Sequence, residues 1–360
     1  MINVTEPFLP GKEEYQNYVE EIWNRNWLTN NGPLVNELEL NLKRYLNLDH
    51  LIYVSNGTIA LQIAIAALDI QGEIITTPFS FIATTSSIVW QNCTPKFVDI
   101  DPESFNIDPK QIEGAITDKT SAILATHVFG NPCDVEAINQ IAEKYNLKVI
   151  YDAAHAFGTR YKGESIFKWG DFSVVSFHAT KLYHTIEGGA IMSNEAEHIK
   201  NASYMRNFGF DGYYHYSGVG INGKNSEFHA AMGLCNLKYI DAILNKRKKD
   251  SEYYDYYLDQ LSYKKQKILP NTEYNYSYYP IVFPTEELCV KTLNFLAEHQ
   301  IFARRYFYPS LSKLEYLKDK KSMPVTESIS NNILCLPLSY QLRKSEIDMI
   351  SRLILRVNRY

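Results

Sequence analysis

Between residue 51 and about residue 195 the chain alternates short apolar runs with longer segments of helical character, and no other feature limits its fold so tightly. Leu51 to Val54, Glu73 to Thr76, Ser121 to Thr126, Leu147 to Tyr151 and Phe172 to Phe177 have the length and the branched residues of strands. Segments such as Asp134 to Tyr145 read as helices between them. Strands and helices in alternation build a mainly parallel sheet with helices on its faces. Sheets of this kind bind ligands beyond the carboxyl ends of their strands, so the residues just after each run carry the information about chemistry.

Four such positions stand out. Lys181 lies between the Phe172 to Phe177 run and Gly188-Gly189-Ala-Ile-Met, a turn that opens another short strand. A lysine kept out of bulk water has a lowered pKa and becomes a nucleophile able to form a Schiff base with an aldehyde; a lysine at a strand end can equally be a plain surface residue. Asp152 follows the Leu147 to Tyr151 run. A carboxylate there can hold a proton on the nitrogen of a pyridine ring, or can simply begin a loop. His155, three residues on, could meet the same ring or be a satisfied loop histidine. Asn56-Gly57-Thr58 sits where a strand turns into an Ala-rich helix. The free N–H groups and positive end of that helix suit a phosphate, with the Thr58 hydroxyl and Ser176 as further donors, although a helix cap needs no ligand. Thr77-Pro-Phe-Ser-Phe81 follows the Glu73 to Thr76 strand, and an aromatic ring at that mouth can lie flat on a planar ligand, though most phenylalanines are core residues.

A phosphate cradle, a ring stacker, an acid and a lysine, in that order, make up the pyridoxal phosphate site of the aspartate-aminotransferase superfamily. With Ser176-Phe-His-Ala-Thr-Lys181 and Glu187-Gly-Gly-Ala190, the chain resembles the DegT-type sugar-nucleotide aminotransferases over nearly its whole length. The resemblance implies an α/β, fold-type I architecture: a mainly parallel mixed sheet flanked by helices, with a smaller C-terminal α/β domain. It implies that Lys181 and Asp152 are catalytic, that Lys181 bonds the aldehyde of pyridoxal 5'-phosphate, and that Asp152 faces the ring nitrogen. By the same resemblance His155 neighbours the ring hydroxyl, where many relatives have Gln. Gly57, Thr58 and Ser176 match phosphate contacts, and Phe81 matches the ring stacker. In Gly220-Ile-Asn222-Gly-Lys-Asn-Ser-Glu227, Asn222 matches an asparagine that reaches the phosphate of the other subunit, which implies a homodimer with shared sites. The family's usual Arg-Met in that segment is Lys224-Asn225 here.

The resemblance also implies L-glutamate as amino donor and a nucleotide-linked keto-deoxysugar as acceptor. Asn3 to Pro10, Trp27 to Pro33 and Arg304-Arg305-Tyr306-Phe-Tyr308-Pro309 look like members that aminate C4 of dTDP-4-keto-6-deoxyglucose for O-antigen or other surface polysaccharides. Arg304 or Arg305 could meet the diphosphate and Tyr306 or Tyr308 the base or sugar; a basic pair at a domain edge is the plainer explanation. Amination of a dTDP-3-keto sugar, or of a UDP- or GDP-linked sugar, is the nearest alternative. Related sugar dehydratases carry histidine in place of the lysine, so Lys181 argues against them. A non-catalytic regulatory protein on the same fold has no chemical need to keep Asp152, Thr58 and Lys181 together.

At 360 residues the chain exceeds what one core usually supports, and a division into 1 to 244 and 245 to 360 is expected, the smaller part with Tyr276 to Phe283 as a strand and Ser345 to Tyr360 as the closing helix. The 36 Lys and Arg against 41 Asp and Glu give a net charge of -5, which argues against nucleic acid as a partner. The basic run Lys246-Arg-Lys-Lys249 reads as a solvated helix face. Cys93, Cys133, Cys235, Cys289 and Cys335 are scattered, so neither a disulfide framework nor a metal site is expected, and a reducing cytosol is. No apolar run approaches the ~20 residues that span a bilayer, and no leader-like N-terminus is present, so a soluble cytoplasmic protein is expected. The aromatic, glycine-rich stretch Phe208 to Gly218 is too long and too ring-rich to be filler.

Overall fold

The computed structural model describes residues 1–261, 263–317 and 321–358. At its centre a seven-stranded sheet runs in the order Leu51–Val54, Gly189–Met192, Phe172–Ser176, Lys148–Asp152, Thr120–Thr126, Glu73–Thr76, Thr94–Phe97. Gly189–Met192 is antiparallel to both neighbours and the remaining pairs are parallel. Six carboxyl ends therefore share one edge, and the reversed strand begins there. Val54, Gly189 and Ser176 stand in one row across the sheet. Thr126, Asp152 and Val174 form another.

Successive side chains in a strand point to opposite faces, and here both faces are buried. Tyr53, Tyr151, Val175 and Ala190 belong to one hydrophobic cluster, while Ile52, Val54, Ile150, Val174 and Ile191 belong to another. The first cluster is covered by the Pro33–Leu46 helix through Leu34, Leu38 and Leu42. The second is covered by Gly57–Ala67, whose Ala60, Leu61, Ile63 and Ala64 are all buried. That helix is apolar nearly all round because the sheet lies on one side and the Ala196–Arg206 helix on another.

A second, smaller core gathers around the antiparallel pair Tyr279–Val282 and Ile333–Leu336, with the Glu286–Glu298 and Lys344–Val357 helices against it. Ile2–Asn3 pairs with Ile301–Phe302, so the first residues join this core rather than the large one. The 19-residue helix Ile240–Leu258 links the two: Ile240 and Ile243 pack in the large core, Tyr254 and Leu258 in the small one. We propose the division at residues 244 and 245 as the point where this helix passes from one core to the other.

Three expectations need adjustment. The run Lys246 to Lys249 is a solvated face only in part: Lys248 and Lys249 are exposed, but Arg247 is buried and donates to the carbonyls of Tyr276 and Ser277 at 3.4 and 2.9 Å. The strand expected from Tyr276 therefore starts later, at Tyr279, because those carbonyls are already used and Tyr276 has a positive φ of 52°. The closing helix ends at Val357; Arg359 and Tyr360 lie outside the described residues. Among the described residues no helix is long and apolar enough to cross a membrane, and the five cysteines are free and buried.

Candidate active site

The turn after Leu51–Val54 is shaped by one side chain. Asn56 caps the Gly57–Ala67 helix by accepting the Ile59 N–H at 2.9 Å. The N–H groups of Gly57 and Thr58, the first two of the helix, have no partner within it. A side chain at Gly57 would place its Cβ 2.9 Å from Cβ of Ser176, so only glycine lets the helix start press against that hydroxyl. The same crowding accounts for the Gly-Gly pair. A Cβ at Gly189 would stand 2.7 Å from the Asn56 carbonyl carbon, and one at Gly188 would stand 2.1 Å from the Thr185 hydroxyl. A helix cap explains Asn56, but it does not explain glycine against Ser176. The two unpaired N–H groups at the helix start, with the Thr58 hydroxyl and the facing Ser176 hydroxyl, are the donor set that suits an anion.

Asp152 ends its strand beside these donors and is buried. One of its oxygens accepts from the Thr84 hydroxyl at 2.7 Å and the other from the Ala154 N–H at 3.1 Å. Burial pushes the Asp152 carboxyl up from its ordinary pKa, against these two hydrogen bonds and the charge of Lys181. Lys181 is half-buried in the turn that follows Phe172–Ser176. Burial brings its amine down to about 8, opposed by the charge of Asp152. His155 is buried, and its Nδ1 accepts the Phe129 N–H at 3.2 Å. Burial first, and the Lys181 charge second, hold His155 well below the usual histidine range. Acid, amine and imidazole thus share one strand-end site. Phe81 immediately precedes the Ile82–Trp90 helix with its ring exposed, free to cover a ligand.

The structure adds residues that sequence reasoning missed. Thr84 and Ser80 stand behind Asp152. Phe307 stacks on His155 at 5.6 Å between centroids and 7° between planes, and Tyr278 lies 4.7 Å from the same imidazole. Through these rings the segment at 304–308 reaches the strand-end site. Arg304 lies over Tyr306 at 4.7 Å, and Tyr306 meets Tyr278 at 5.3 Å. Arg305 is otherwise engaged: it donates to Glu286 at 2.8 Å and to the Asn331 carbonyl at 2.7 Å, and it lies over Tyr308. Of the two arginines, Arg304 is the one without an ion-pair partner among the described residues.

The segment around Asn222 is anchored but open. The Gly223 carbonyl accepts from Ser55 N–H at 2.8 Å, and Asn222 pairs with Asn207. Lys224 packs over Phe208 at 4.3 Å, while Asn225 donates to the Tyr53 hydroxyl at 3.0 Å and the Glu187 carbonyl at 2.9 Å. The Asn222 side chain is exposed. Glu227 is fully buried and caps the Pro33–Leu46 helix, accepting from Leu34 and Val35 N–H at 2.9 Å each. That bond ties the Trp27 to Pro33 segment to the Asn222 segment.

Residues 10–354 match the model of the DegT/DnrJ/EryC1/StrS aminotransferase family. A dTDP-4-amino-4,6-dideoxy-D-glucose transaminase of Shigella dysenteriae is 42% identical, with 97% of each chain covered. One of the same name from Escherichia coli is 40% identical, with 98% of each covered. Among solved structures, DesI in the presence of its TDP-sugar product superposes with a TM-score of 0.95 at 29% identity, covering 99% of this chain and 93% of that one.

Proposed function

We propose that this chain, which belongs to the DegT/DnrJ/EryC1/StrS aminotransferase family, moves an amino group from L-glutamate to C4 of dTDP-4-dehydro-6-deoxy-D-glucose. The product would be dTDP-4-amino-4,6-dideoxy-D-glucose, a donor for O-antigen or other surface polysaccharide. The observation that carries the chemistry is the buried Asp152, hydrogen-bonded to Thr84 and Ala154 and near enough to Lys181 for each charge to act on the other, at the strand ends that also bring Gly57 against Ser176. The sugar rests on the likeness to the two transaminases named for it.

The donor set fits pyridoxal 5'-phosphate. Gly57 and Thr58 N–H groups with the Thr58 and Ser176 hydroxyls would hold the phosphate, Asp152 the ring nitrogen, His155 the ring hydroxyl and Phe81 the ring face. When bound, the cofactor supplies a reactive aldehyde and an electron-accepting ring. Lys181 Nζ, partly neutral near pH 8, takes the proton from the amino-bearing carbon of glutamate and later returns one to C4 of the sugar. Asp152, supported by the Thr84 hydroxyl and the Ala154 N–H, would keep a proton on the ring nitrogen. His155, held neutral, positions without competing for that proton. Arg304 meets the diphosphate, with Tyr306 beneath it. The same residues serve donor and acceptor in turn, so ping-pong kinetics follow. A second copy of the chain completes each site with its Asn222, and five free thiols suit a reducing cytoplasm.

Incubation with glutamate and a panel of dTDP-, UDP- and GDP-linked keto-sugars tests the reading, with mass spectrometry and NMR to place the new amine. Transfer to C4 of the dTDP sugar is expected. An amine on C3, or preference for another nucleotide, would overturn the substrate; no transfer to any sugar would overturn the aminotransferase assignment.

A further inference from the structure

A buried carboxylate keeps its charge only where hydrogen bonds support it. Asp152 Oδ1 has the Ala154 N–H at 3.1 Å, and Oδ2 has the Thr84 hydroxyl at 2.7 Å. Behind Thr84 the contacts continue. Thr84 Oγ1 lies 2.6 Å from Ser80 Oγ, which lies 3.0 Å from Thr126 Oγ1. All three hydroxyls are buried, and they come from different elements: Thr126 ends the strand beside Asp152, Ser80 lies in the turn after Glu73–Thr76, and Thr84 is in the first turn of the next helix.

A hydroxyl has one proton to donate, which settles the direction of every link. If Thr84 gives its proton to an ionised Asp152, Ser80 must donate to Thr84. Ser80 then has none left, so Thr126 must donate to Ser80. Three O–H dipoles point at one carboxylate oxygen, and bonds in such a chain strengthen one another. We infer that Thr126, Ser80 and Thr84 form a one-way hydroxyl chain that holds Asp152 ionised, with Thr84 as the positioning residue for the acid that faces the ring nitrogen. The functional part of this inference rests on the role proposed for Asp152. The chain of hydroxyls does not.

The other titratable groups near Asp152 are Lys181, whose charge favours ionisation, and His155, His127 and Tyr151, all held neutral by burial. None of them bonds to the three hydroxyls, so removing a hydroxyl acts on Asp152 through the chain. The test follows the protonated carboxyl band of Asp152 by infrared spectroscopy across pH, in the full-length cofactor-free protein, with Asp152→Asn to assign it. Loss of a hydrogen bond to a charged group should raise the midpoint by about one pH unit or more in Thr84→Val. Ser80→Ala should raise it less and Thr126→Val least, and Thr84→Ser should restore it.

Equal midpoints in the native protein and a folded Thr84→Val would overturn the inference. So would a Thr84→Ser variant as perturbed as the valine. If Thr84→Val does not fold, Ser80→Ala and Thr126→Val carry the test, and the absence of any shift in both overturns the chain. A second readout is the ring-nitrogen resonance of 15N-labelled pyridoxal phosphate on the loaded protein. Movement of the carboxyl midpoint with this resonance unchanged in every variant would leave the hydroxyl chain standing and contradict Asp152 as the ring partner.

Discussion

Two regions of the proposed site are built on different principles. The strand-end group is finished within one chain: Asp152 and His155 are each 6% exposed, and both are hydrogen-bonded to the structure behind them. The loop before Asn222 shows the reverse, with Tyr213 90%, Tyr214 92% and Val219 88% exposed. Its own rings touch mainly one another, as Phe210 and Tyr216 do at 4.7 Å. Exposed apolar patches of this kind mark contact surfaces. The difference teaches that groups needing a fixed geometry and a shifted pKa are held by the sheet. The groups proposed to complete the site lie on a surface that water would not leave bare, and the proposed second copy covers it.

The comparison can be broken at either region. At the strand ends the largest effect is expected from Lys181→Ala, which should lose turnover by at least about a thousandfold, because its amine is proposed to move the proton in both halves of the reaction. Equilibrium dialysis should still detect pyridoxal phosphate bound through the cradle. Near-native transamination by this variant would mean that Lys181 is not the amine in question.

Asp152→Asn should cost about a hundredfold or more in turnover, since an amide cannot keep the ring nitrogen protonated. Its effect on stability should have the opposite sign. The folded Asp152 has a raised pKa, so its charged form is disfavoured by folding; that cost is absent below the unfolded pKa and full above the folded one. The amide never carries it. Thermal melts of the cofactor-free protein at neutral pH should therefore show Asp152→Asn no less stable than the native chain, and a clear drop would contradict the burial argument.

At the loop, Tyr213→Ser with Tyr214→Ser should weaken self-association about tenfold or more in sedimentation, as expected for exposed aromatic anchors, while leaving the melting temperature of the dissociated chain nearly unchanged. An unaltered dimer would move the interface elsewhere. The smallest effect concerns the amine itself. Labelling of Lys181 by an amine-reactive reagent in the cofactor-free protein should titrate near pH 8 rather than at the usual lysine value, and the midpoint should fall further in Asp152→Asn because that carboxylate supports the charged amine. An unshifted lysine would show that the site is wetter than its burial implies.

Much of this was legible in the sequence because the strands are short, apolar and punctuated. Leu51–Val54 and Glu73–Thr76 are bounded as expected, and Asp152 and Lys181 are found by looking just past a strand. What escaped was long-range. Thr84 sits in a run of hydroxylated residues with no local mark that it faces Asp152, 68 positions away. Glu227 reads as an ordinary first-turn glutamate, yet it caps a helix 193 positions earlier. Arg247 lies in a run of cations that looks solvated, and its partners are backbone carbonyls freed by an irregular strand entry. Arg305 and Arg304 look equivalent until Glu286 claims one of them. Local periodicity carries strands and helices, but it carries no record of which polar group the fold delivers to which.

The proposal that a second copy completes each site through its Asn222 is tested most directly by mixing two inactive variants. Asn222→Asp, whose carboxylate should repel the phosphate, is combined with Lys181→Ala, and subunits are exchanged. In a heterodimer one site carries both defects and the other carries neither, so up to half the native activity per heterodimer should return, although each variant alone is inactive. Proven exchange with no recovery, or a fully active monomer in sedimentation, would contradict the shared site.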